Sequence, residues 1–141
     1  MSSFAGINDE FWPLFRITAP RSLREHGLAE VELGKRICRS WVLLLGVLPI
    51  DYDDITLIRL DPPNGFLECS RMLSQRSWQH ERTLEQLPQG CLLTDSILYQ
   101  PRLPIPDIAL RTVYRRVFGH RHRRLRRRFG GEPVAGSSGA H

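Results

Sequence analysis

The chain has 141 residues, 41% hydrophobic and 25% charged, which is enough to bury one core and too few for two domains. Its net charge of +5 is unevenly placed: nine arginines against one aspartate between Asp107 and Phe129 give that stretch +8 and leave the rest at −3. A uniformly basic protein is excluded, and the longest apolar run, Trp41 to Ile50 with a glycine and a proline inside it, is too short to cross a membrane as a helix. The N-terminus lacks the basic-then-apolar layout of a leader peptide, so a cytoplasmic location is expected.

Lys35 is the sole lysine beside 19 arginines, an imbalance that resembles coding bias and lowers the weight of any single arginine. Cys38, Cys69 and Cys91 are odd in number and widely spaced, and each falls in a strand-like run, which suits reduced structural thiols. With no CxxC or Cys/His cluster, neither a metal nor a cofactor is expected.

In chain order, Met1 to Ala5 is expected to fray. Ile7, Phe11, Trp12, Leu14 and Phe15 form an aromatic patch on a short helix that Asn8 or Asp9 could cap, with Pro13 in its first turn and Ala19-Pro20 closing it. Ser22 would cap a second turn ending near His26-Gly27, and Leu28 to Leu33 is a short strand or extended connection before Gly34. From Lys35 the period becomes extended, and five strands are expected: Arg36 to Leu45, Asp54 to Leu60, Phe66 to Leu73, Ser77 to Glu85 and Cys91 to Gln100. Asp61-Pro62-Pro63-Asn64-Gly65 is the strongest turn between them, and the links are short enough to require an antiparallel meander. The run Asp51-Tyr52-Asp53-Asp54 lacks the glycine and distant glutamate of an EF-hand loop and reads as a solvated acidic turn.

After Pro101, Pro104 and Pro106, one amphipathic helix runs from Asp107, its expected N-cap, to Phe129, and Gly130-Gly131 ends it. Its apolar stripe is Leu110, Val113, Tyr114, Val117, Phe118, Leu125 and Phe129. The fold class is therefore α+β, a curved antiparallel sheet wrapped on a long C-terminal helix, with a ligand cavity between the two. Residues 131–141 have the small, polar composition of a disordered tail.

The stretches GINDEFWPLFRITAP (Gly6 to Pro20), RSWVLLLGVLPIDYDDITL (Arg39 to Leu57), SRMLSQRSWQHERTLE (Ser70 to Glu85), LLTDSILYQPR (Leu92 to Arg102) and FGHRHRRLRRRFG (Phe118 to Gly130) together resemble the START-like, or SRPBCC, superfamily. The resemblance covers nearly the whole chain and looks like a bacterial branch. It implies a helix-grip fold over residues 1–130 and a small hydrophobic ligand, without a universal catalytic signature. Members usually carry a strand ahead of the GIN segment. Only five residues precede Gly6, so an unpaired sheet edge is expected, which a mis-set start codon would explain or a homodimer would cover.

Strand alternation sorts the polar residues. Phe66, Glu68, Ser70 and Met72 share a face of their strand, Trp78, His80, Arg82 and Leu84 a face of the next, and Leu93, Asp95, Ile97 and Tyr99 a face of the last. With Ser70 opposite Trp78 and Leu84 opposite Cys91, Glu68, His80 and Asp95 form a cross-strand row with Arg82 adjacent. The expected ligand-binding set is that row with Trp78, Phe66, Met72, Ile97 and Tyr99, joined by Tyr114 and Phe118 from the helix. Such groups can equally satisfy one another and only fix register. A histidine between carboxylates can also transfer protons, so a cyclase or dehydratase using His80 with Asp95 or Glu68 is the rival reading. The cluster His120 to Arg128 reads first as a solvated face, then as a surface for acidic lipid or nucleic acid; the acidic body and the absence of a nucleic-acid motif weigh against the last.

Overall fold

The links between the extended runs leave no room for parallel crossovers, and in the computed structural model, which describes residues 4–26 and 31–133, six strands pair antiparallel in sequence order. The elements are α1 (Phe4–Phe11), β1 (Phe15–Ile17), α2 (Arg21–His26), β2 (Arg36–Leu44), β3 (Leu48–Asp61), β4 (Gly65–Met72), β5 (Gln75–Leu87), β6 (Gly90–Pro101) and α3 (Asp107–Phe129). Register shifts leave Ile37, Ile50, Ile58 and Arg76 without a cross-strand partner. Such bulges bend the strands that carry them, and the sheet curls into a half-barrel with α3 packed on it. The fold is α+β, as expected.

All five expected strands form. Gly65 sits where β4 meets β5, and a Cβ there would lie 1.9 Å from the Arg82 carbonyl oxygen; with φ at 150°, the position requires glycine. Asp51 to Asp54 is not a solvated turn. It lies inside β3, where alternation turns Asp53 inward and buries it, while Asp54 pairs outside with Arg39 at 2.8 Å.

The N-terminal segment departs from the single short helix expected of it. Pro13 lies in the turn after α1, and Phe15–Ile17 is a strand because it pairs with Val42–Leu44. Asn8 caps nothing; its amide brackets the Ile17 backbone, donating to the carbonyl at 3.0 Å and accepting from the N–H at 2.6 Å. Val31 to Gly34 forms no strand, and Gly27 to Glu30, like residues 134–141 of the expected tail, lies outside the described residues.

Helix α3 has the expected bounds, ended by Gly130 at φ 78°. Its N-cap is Pro106, one residue early, and Asp107 instead sits in the first turn, accepting the Tyr99 hydroxyl at 2.7 Å and Arg111 at 2.6 Å. Val113 and Phe129 leave the stripe and are exposed, whereas Arg121, assigned to the solvated face, is 3% exposed. No helix among the described residues is long and apolar enough to cross a membrane. Nor does any strand pair with the outer edge of β6 among them.

Candidate functional site

Alternation along β4, β5 and β6 delivers Glu68, His80, Arg82 and Asp95 to the concave face, as read from the sequence. Glu68 stands opposite His80 in the expected register. The β5–β6 hairpin is displaced by two residues: its turn is the tight Pro88-Gln89, so Leu84 meets Leu93, Arg82 meets Asp95 and His80 meets Ile97. An even displacement keeps every side chain on its face. The row therefore survives as a diagonal, with His80 Nε2 at 2.8 Å from Asp95 Oδ1.

Asp95 is the hub. Its Oδ1 accepts from His80 and from Arg82 Nε at 2.8 Å, and its Oδ2 accepts from Arg82 Nη2 at 2.9 Å and from His122 Nε2 at 2.7 Å. Burial alone would raise its pKa, but the hydrogen bonds from His122, His80 and Arg82 outweigh that and hold the carboxyl well below the usual range. Arg82 also donates to both oxygens of Glu10 at 3.2 Å, and Glu10 accepts Arg121 at 3.0 and 2.5 Å. Glu10 thus separates two buried guanidiniums. Burial and the Arg82 charge draw Arg121 down in pKa, against Glu10 and Asp95. The Arg121 guanidinium also lies 4.3 Å over the Phe11 ring.

On the other side of His80, Nδ1 faces Glu68 Oε2 at 4.0 Å, and Ser70 Oγ donates to Glu68 Oε1 at 2.7 Å. Next to Glu68 lies Asp53, whose carboxyl is pushed well above the usual range by burial and by the Glu68 charge. One line of acids and imidazoles, Asp53, Glu68, His80, Asp95 and His122, runs from a buried position on β3 to a half-exposed position on α3.

The expected apolar lining is assembled around this line. Phe66 and Phe118 meet the His80 ring edge-on, with centroids at 5.1 and 5.3 Å. Trp78 and Tyr99 both meet Tyr114, at 5.2 and 4.9 Å, while Met72 stands opposite Asp53. Gln75 Nε2 donates to the Tyr114 hydroxyl at 2.8 Å. Burial, with Asp51 and Tyr99 nearby, pushes that phenol up to about 12 and keeps it neutral. Open clefts of about 310 and 330 Å³ lie elsewhere, by Trp12 and Arg16 and by Leu23 and Lys35.

Asp53, Glu10, Arg121, His122 and Gln75 were missed as site residues. Asp53 was legible once β3 is extended back to Leu48, because Asp51, Asp53, Ile55 and Leu57 then alternate. Arg121 falls within the six residues that separate Phe118 from Leu125 in the α3 stripe. No group of His, Cys, Asp and Glu among the described residues is arranged to hold a metal ion.

A curved antiparallel sheet closed by a C-terminal helix, with a paired ionic row on its inner face, defines a two-layer α+β domain of the half-barrel kind. A family model, Domain of unknown function (DUF8410), matches residues 1–129, and the chain belongs to that family. No curated protein and no solved structure matches it.

Proposed function

We propose that the domain binds one small, largely apolar molecule against the concave face, a cytoplasmic helix-grip carrier of the START-like kind. One observation carries this reading. Asp53 Oδ1 and Gln75 Oε1 are buried on the inner face without a hydrogen-bond partner among the described residues, next to Met72 and Tyr114 respectively. Buried polar atoms are nearly always satisfied, and two such atoms beside an aromatic lining suit the polar end of a ligand. Asp53 Oδ1 and Gln75 Oε1 would meet the polar end of such a molecule, and Trp78, Tyr99 and Tyr114 would cover its apolar body.

Proton-transfer catalysis is the second reading, favoured by the alternation of acids and imidazoles from Asp53 to His122. His80 would then exchange a proton with Glu68, and Asp95 would orient its ring. The fluorescent anion 1-anilinonaphthalene-8-sulfonate, an aromatic body with one acidic group, tests the binding reading. The folded chain is expected to enhance its emission, and Gln75→Leu or Trp78→Ala to weaken binding about 10-fold, the loss of one hydrogen bond or ring contact. Unchanged affinity in both variants would place the probe elsewhere.

A further inference from the structure

The β2–β3 hairpin turns at Leu45-Gly46-Val47, where turn chemistry favours Asn, Asp or Gly. Leu45 nevertheless holds φ at 51°, a left-handed conformation that a leucine side chain disfavours. Its side chain is 61% exposed, and Val47 and Leu48 are 80% and 56% exposed. Trp12, 53% exposed, lies alongside: a Cβ on Gly46 would stand 3.7 Å from its ring, and Leu45 N–H donates to the Leu14 carbonyl at 2.8 Å. His120 of α3 bonds the Trp12 carbonyl at 2.8 Å. The helical period sets Arg116 and Arg123 one turn to either side of His120. Both are exposed and, among the described residues, make no ion pair, unlike Arg124 and Arg128, which bind Asp9.

From this juxtaposition we propose that the Leu45–Leu48 hairpin tip and the Arg116–Arg123 face of α3 form one docking surface for a bilayer carrying anionic phospholipid. Apolar side chains at the tip enter the headgroup boundary, Trp12 sits at that level as an amphipathic ring, and the arginines meet lipid phosphate. A nucleic acid would engage the arginines and leave three exposed apolar side chains without use, which is why lipid is the better fit. The inference is independent of the ligand reading above.

Vesicle flotation with the full chain tests it. The chain is expected to float with phosphatidylcholine vesicles containing phosphatidylglycerol and to stay behind with phosphatidylcholine alone. Val47→Asp/Leu48→Asp should lose about 100-fold in partitioning, as two apolar side chains leave the interface. Arg116→Ser/Arg123→Ser should lose about 20-fold, and added salt should act in the same direction. All these positions are exposed, and unchanged circular dichroism would show the variants folded. Quenching of wild-type tryptophan emission by brominated lipid, lost in Trp12→Phe, would place the tip in the interface. No flotation with anionic vesicles overturns the proposal. So does flotation that Val47→Asp/Leu48→Asp leaves unchanged, or a salt-sensitive affinity for duplex DNA that exceeds that for the vesicles.

Discussion

Replacing Asp95 with alanine is expected to lower the free energy of unfolding by about 3–5 kcal/mol, the range for breaking a buried charge pair by removing one member. Asp95 accepts four hydrogen bonds, from His80, His122 and twice from Arg82, and its side chain is 3% exposed. Alanine would leave Arg82, itself 4% exposed, with Glu10 as its remaining carboxylate, and Glu10 already serves Arg121. The loss would come from that stranded guanidinium more than from the bonds themselves. Urea denaturation reads it directly, and Arg82→Met/Asp95→Leu provides the contrast: with both charges gone, the cost should fall well below that of Asp95→Ala. A loss under about 1 kcal/mol for Asp95→Ala would mean that solvent reaches the network.

Asp53→Asn should act in the opposite direction and stabilise the chain at neutral pH by about 1 kcal/mol or more, within the usual range for relieving a local conflict. Asp53 is buried, faces Glu68 and is raised well above the usual carboxyl range. A carboxyl raised on folding contributes stability that is complete below its unfolded value, near 3.9, and is lost as pH rises through its folded value. Asp95, depressed on folding, contributes stability that is complete above that unfolded value and is lost as pH falls below it. The wild-type chain should therefore weaken in acid because of Asp95 and, on the alkaline side of about pH 4, because of Asp53. Calorimetry across this range should show the second decline flattened in Asp53→Asn and the acid limb unchanged. An alkaline decline of equal slope in the variant would assign it to another group.

The strands, the long helix and the inward face of β4, β5 and β6 were legible because each rests on a local period of two or 3.6 residues. The hairpin register was not, since Leu87 to Gln89 allows either a tight or a wider loop. Its even displacement preserved the faces and moved only the partners. Glu10 was illegible for a different reason. It lies on the same helical face as Ile7 and Phe11, where local sequence offers no partner; Arg82 and Arg121, 72 and 111 residues away, complete it. Phe15–Ile17 gave only an apolar fragment, and it is a strand because β2 supplies an edge and Asn8 a clasp. Burial of His80 and Arg82 on the inner face was expected, and burial of Glu10 and Arg121 was not. Among the described residues Glu10, Arg82, Arg121 and His80 are buried as deeply as Leu57 and Trp78.

Native mass spectrometry of the chain isolated from cells under gentle conditions, set beside the same sample after denaturation, is the most direct test of ligand binding on the concave face. The expected result is one small apolar molecule bound per chain, released on denaturation and lost in Gln75→Leu. A bare chain under gentle conditions, with no enhancement of the fluorescent anion either, would contradict a carrier and leave the row from Asp53 to His122 as an internal brace of the sheet.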